Sequence, residues 1–401
     1  MLRCDLVWTA LTTGIALLSV GLTPPASAQP DSSASPRALN LTIREVGLSI
    51  GDSRRTTGIR LNYRDRVLQR VTGLNVTLWR PHDEARGTVN GVALGLPLTG
   101  ANRVRGVGLG AGLSAQTALD GFYAAPIGLG SGHRVAGIAV GGLGIGAGRR
   151  LRGLMLSAVG AGSGEDAGGI LIGGIAVGAG STARGVLVGG LGAGAGDEAN
   201  GVLIGGIGAG AGGSATGIVV GGAGAGTGDH GTGLFVGGAG AGAGDDASGV
   251  VVGGLAAGAG DNATGLFVGG LAAGAGDDLR GVGLSGGGLG AGDNLRGLGI
   301  GGLGVGAGDS ITGVAVSALG VGSVRITGLS LAGAYARVDK GGVLRGVSAS
   351  SVNDVRGTQR GLTIGLYNYA RTLHGLQLGL LNVARNNPRW ARVLPLLNLH
   401  F

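Results

Sequence analysis

The sequence is short of most things that build an ordinary folded core. Aromatic residues are 3% and charged residues 13% of its 401 positions, and proline numbers 9. Cysteine occurs once, at Cys4. A single thiol excludes an intrachain disulfide and a zinc–cysteine site. Scarce proline excludes collagen, since glycine also fails to recur strictly at every third residue. Scarce charge beside 44% hydrophobic residues excludes generic disorder. Scarce aromatics, with long stretches of only Gly and Ala, argue against the interlocked core of a conventional enzyme. The one lysine, Lys340, is followed by Gly341, which excludes a Gly-Lys-Ser/Thr phosphate loop.

Glycine is what the chain has in excess: 97 residues, against about 7% in ordinary proteins. The formal charge of +8 hides three blocks. Residues 29–152 carry 16 Arg and 7 acids, residues 153–312 carry 3 Arg and 12 acids, and residues 313–401 carry 10 basic residues and 2 acids. Basic, acidic and basic blocks in succession are not a continuous footprint for nucleic acid, so no nucleic-acid partner is expected.

Residues 1–28 have the form of a secretory signal. Arg3 precedes an apolar run from Leu11 to Leu22, and Ala26-Ser27-Ala28 supplies small residues before Gln29. The run is short for a membrane anchor, which needs about 20 residues. Residues 29–57 follow as leader and N-terminal cap, with Pro30–Pro36 a flexible stretch.

Internal repetition dominates the rest. From Gly121 to Gly313, glycines recur every 16 residues without a slip. One unit is Gly185-Val186-Leu187-Val188-Gly189-Gly190-Leu191-Gly192-Ala193-Gly194-Ala195-Gly196-Asp197-Glu198-Ala199-Asn200. Irregular repeats open at Gly58, Gly73, Gly91 and Gly106, so residues 58–120 precede the regular array of 121–312. Residues 313–401 hold degenerate repeats opened by Gly328, Gly361 and Gly375, an irregular patch around Gly346–Arg360, and a C-terminal cap.

Within a unit, positions 2 and 4 are aliphatic, as in Val250 and Val252. That period of two predicts a strand with these positions inward. Position 3 ranges from Gly283 to Phe267, which predicts an outward site. Phe235 and Phe267 are then expected on the surface, in a sticky row. Positions 7, 9 and 11 form a second alternating set, and the phase is expected to slip at the Gly-Gly pair. Helix is excluded, because each glycine costs about 1 kcal/mol against alanine. Stacking such units buries one face and pairs their backbones. The predicted fold is all-β: a β-solenoid of about twenty 16-residue coils, roughly 100 Å long at a strand spacing of about 4.8 Å. The alternative is an outer-membrane β-barrel with transport function. The alternating, aromatic-ended C-terminus through Leu397, Leu399 and Phe401 favours it. Missing aromatic girdles, a face too apolar to line a pore, and Pro395 in the last strand oppose it. A trimeric adhesin head lacks its expected coiled-coil heptads here.

The units Gly361-Leu362-Thr363-Ile364-Gly365-Leu366-Tyr367-Asn368-Tyr369-Ala370 and Gly375-Leu376-Gln377-Leu378-Gly379-Leu380-Leu381-Asn382-Val383-Ala384 resemble a family of bacterial surface repeat proteins of unknown function. Those repeats read Gly–apolar–x–apolar–Gly–Leu–x–Asn–apolar–Ala. The resemblance implies an exported, repeat-built protein, and it carries no catalytic residue or ligand.

Chemistry-bearing residues are few. Acids stand at position 13 in Glu165, Asp197, Asp229, Asp245, Asp261, Asp277, Asp293 and Asp309. Stacking predicts a column, in which the seven Asp residues could recruit calcium through oxygen ligands. The plainer reading is a turn-starting Asp bonded to nearby backbone N–H groups, giving a soluble edge. Gly283-Leu284-Ser285-Gly286-Gly287 matches the Gly-x-Ser-x-Gly elbow, as chance provides in so glycine-rich a chain, without strand–helix context. His82, His133, His230, His374 and His400 show no metal-ligand spacing. No cofactor is expected. The expected function is non-enzymatic: an exported structural or adhesive protein of the cell surface or outer membrane.

Overall fold

The computed structural model describes residues 38–79 and 86–401. The signal-like segment with Cys4, the leader through Pro36, and His82 lie outside the described residues.

Each unit of the array forms one long strand and one short strand. Thr182–Gly189 and Gly192–Ala195 are one such pair, and Glu198–Gly205 and Gly208–Ala211 are the next. The long strands pair in parallel, Leu187 opposite Leu203. The short strands do the same, Ala193 opposite Ala209. Every strand therefore bonds to its equivalent one unit later. This is a β-solenoid of about 20 coils of about 16 residues. The barrel alternative is overturned, because a transmembrane barrel pairs its strands antiparallel.

The side-chain phase of the long strand is the reverse of the expected one, while positions 9 and 11 of the second alternating set lie inward and its position 7 does not. Leu187 at position 3, Ala193 at position 9 and Ala199 at position 15 are buried, while Val186 and Val188 face out, half-buried. Phe235 and Phe267 are 1% and 0% exposed, so the aromatic row lies in the core and not on the surface. Inward positions are 3, 5, 9, 11 and 15, all odd. The alternation therefore does not slip at Gly-Gly. The corners at positions 1, 7 and 13 take odd places without breaking the count.

Position 3 varies because it trades volume with positions 9 and 15. Where it holds Phe235, position 15 is Gly231, and a methyl added there would meet the phenyl ring. Where it is Gly283 or Gly299, the space is taken by Leu279, Leu289 and Leu295. Dense packing leaves a limited volume per layer, and the coils divide it differently.

Every coil opens on a glycine with φ well into positive values, between 104° and 148° across the array. A Cβ on Gly249 would run into the carbonyl oxygen of Gly233 one coil below. Backbone conformation and stacking together exclude side chains from this column. The same column includes Gly47, so the stack begins before Gly58, and it includes Gly346. The irregular patch is thus an ordinary coil preceded by a bulge. Val338 pairs with Ser323 and Val343 with Arg325, which sets the four residues Asp339–Gly342 against Val324 alone.

Both ends close with antiparallel strands. Ala38–Ile43 folds back on Val46–Gly51 through Arg44 and Glu45, and Val393–His400 folds back on Tyr367–Ala384. These hairpins occupy the terminal edges that would otherwise template pairing with another chain.

Candidate functional surface

The coil sorts its outward residues into strips. Position 13 runs along one corner. Asp245, Asp261, Asp277, Asp293 and Asp309 each donate their backbone N–H to the carbonyl of the acid one coil earlier, at 2.8 to 3.0 Å. The predicted column therefore exists. The turn-starting bonds do not: these five carboxylates have no hydrogen-bond or ion-pair partner among the described residues. Ser181 donates to Asp197 at 2.7 Å, and Glu165 faces Arg149 at 3.6 Å. The side-chain ladder runs instead at position 14. Asn262 donates to Asp246 at 2.9 Å and Asn294 to Asp278 at 2.8 Å. The Asn294 amide, helped by Arg280, holds the Asp278 carboxyl below its ordinary range. Stability from that bond is present above the ordinary carboxylate pKa and is lost as pH falls through the lowered one. Among the described residues, no three His, Cys, Asp or Glu side chains gather as a metal site would require.

Ser285 of the elbow-like motif points inward at position 5, and its hydroxyl has no hydrogen-bond partner. The histidines are less scattered than their spacing suggests. His374 and His400 meet edge to face, 5.7 Å between ring centroids, because the C-terminal strand folds back on the last coil. His400 is also held to Asn387 at 2.6 Å. His133 sits at the surface beside the Gln116 carbonyl, and His230 lies 3.4 Å from Asp246.

The rest of the perimeter is apolar. Positions 2 and 4 form two continuous aliphatic rows, in which Ile170 is 45% and Ile172 41% exposed. Position 7 adds a third row at the corner, with Leu255 53% and Leu271 63% exposed. Over the regular array these rows cover roughly 60 Å by 15 Å, on coil and residue spacings of about 4.8 and 3.3 Å. That exceeds the few hundred square ångströms of apolar patch usual on a monomer. At the C-terminal end the strip dips into a shallow groove between Ile364, Leu366, Leu378, Leu380 and Leu396. Position 16 borders the strip on its other side. It carries exposed Arg105, Arg152, Arg184, Arg280, Arg296, Arg345 and Arg360, separated elsewhere by Asp120 and by neutral residues such as Asn200, Thr232 and Thr264. Of these arginines only Arg280 is ion-paired among the described residues, to Asp278 at 2.8 Å.

At both ends of the rod the interior is more polar than this outer strip. Arg60 is fully buried at position 3, bonded to Asp52 at 2.8 Å, to Asn75 at 2.9 Å, and to Asp65. Ile59 beside it faces out, 45% exposed. Ser330, Thr363 and Gln377 are buried at the same position near the C-terminus, while Leu329, Ile364 and Leu376 face out. The Asn of the resembling repeats is buried too. Asn353 donates to Asn368 at 2.8 Å, and Asn368 to Asn382 at 2.8 Å. The ladder explains why the motif demands that residue: it bonds coil to coil through side chains as well as backbone.

No family model, curated protein or solved structure matches the chain.

Proposed function

We propose that the chain is an exported, non-enzymatic repeat protein of the cell surface or outer membrane, with a structural or adhesive role. The observation that carries this is the outward aliphatic strip, kept coil after coil where the fold itself does not bury it. A rod whose largest organised feature is a long apolar face works by contact along its length. Among the described residues, the interior of the coils is filled with side chains. The signal-like residues 1–28 and the resemblance of residues 361–384 to bacterial surface repeats support the location. No helix among the described residues is long and apolar enough to cross a membrane.

Cell fractionation with N-terminal sequencing tests the proposal. The exported product should begin at Gln29 and should leave the membrane fraction in a high-pH wash. A cytosolic product retaining Met1 contradicts it.

A further inference from the structure

We propose that the aliphatic strip is a seat for an anionic lipid bilayer, with the rod lying on the membrane surface and not crossing it. This rests on the reading of the chain as an exported contact protein and names its partner.

The first argument is the inversion at the rod ends. A strand face that only needed to be soluble would be polar outside and apolar inside. The coils of Gly58 and Gly361 do the opposite, with Arg60 and Thr363 inside and Ile59 and Ile364 outside. The outer rows are therefore set by what lies beyond them and not by the core. The backbone under them is already paired from coil to coil, so only side chains would meet an acyl phase, as an apolar phase requires.

The second argument is the row at position 16. Arg105, Arg152, Arg184, Arg296, Arg345 and Arg360 are exposed and form no ion pair among the described residues. Arg345 and Arg360 stand opposite each other in register, whereas the Asp278 carboxylate already lies against Arg280 and acts on Arg296. Like charges on neighbouring strands repel. An anion between them removes that cost. Guanidinium groups along the margin of an apolar strip suit phosphate groups along the margin of a hydrocarbon phase. Most of the acids stand behind this row, at positions 13 and 14; Asp278 reaches it, 2.8 Å from Arg280, and Asp120 stands in it.

A second copy of the chain fits this face poorly. Two copies stacked face to face with antiparallel axes bring the arginine row against itself. With parallel axes, arginines meet the leucine row at position 7. Neither arrangement supplies an anion.

The test is flotation of the mature protein with phosphatidylcholine vesicles, with and without phosphatidylglycerol. The protein should float with the phosphatidylglycerol vesicles. Val236→Gln, Val252→Gln and Val268→Gln together, three outward neighbours in register, should lower the bound fraction on both vesicles by about tenfold or more, from the apolar contact removed. Arg345→Gln with Arg360→Gln should lower binding only where phosphatidylglycerol is present. Circular dichroism and an Asp277→Asn control separate lost binding from lost folding. Absence of flotation on either vesicle overturns the proposal, as does a valine variant that floats as well as the parent. A dimer in sedimentation that the valine changes dissociate, without flotation, overturns it in favour of a second copy. Failure of export would appear in the fractionation experiment and leaves this measurement unaffected.

Discussion

Phe235 and Val236 are chain neighbours with opposite surroundings, and they carry the residue-scale test of this structure. Phe235 is 1% exposed inside the rod, and Val236 faces out beside it. With Cys4→Ser as background, Val236→Cys should react with a polar maleimide in the folded protein. Phe235→Cys should react only after unfolding. The reverse order would restore the phase that the sequence suggests. The sequence suggests the wrong phase for a physical reason. Hydrophobicity marks burial only when the other face is polar, and here both faces of the long strand are apolar. A usable signal is present in residue size. Gly231 with Phe235, and Gly283 with Leu279 and Leu289, compensate one another in volume, which only residues sharing an interior do.

At the scale of the element, glycine does two different jobs. Gly249 opens its coil at φ 121°, where a Cβ would strike the Gly233 carbonyl. Gly146, outward on a short strand, has open space where a methyl would stand, with nothing within 4 Å. Gly249→Ala should therefore destabilise the rod by several kcal/mol, on the order of 3 or more, from backbone strain and clash combined. Gly146→Ala should be neutral or stabilising by about 0.5–1 kcal/mol. Thermal melts of the two variants check this, and similar losses in both would contradict it. The opening column is legible in the spacing from Gly121 to Gly313, because a corner that only glycine can occupy leaves a fixed mark. The coils at Gly47 and Gly346 are not legible. One lies in a stretch that composition assigns to a leader, and the other follows a bulge at Asp339–Gly342 that breaks the count. The bonding of the acids is also beyond the sequence. Whether position 13 or position 14 carries the side-chain ladder depends on the direction in which the corner turns.

For the whole molecule, the sequence specifies a stack whose units touch only their neighbours, with ends closed by hairpins. The repeat period makes the solenoid legible. It does not reveal that the aliphatic rows lie outside, and the proposed surface follows from that correction. In such a stack, stability is approximately a sum of unit and neighbour terms. Removing Gly185–Asn200 takes out one coil and joins Arg184 to Gly201. Leu171 then meets Leu203 as it now meets Leu187. Removing only Gly185–Gly192 takes out half a coil and sets a short strand against a long one. The decisive measurement is the melting transition of these two deletions beside the parent. The stacked-coil structure predicts a cooperative transition within a few degrees of the parent for the whole-coil deletion, and a large loss for the half-coil deletion. Equal collapse of both would contradict a stack of interchangeable coils.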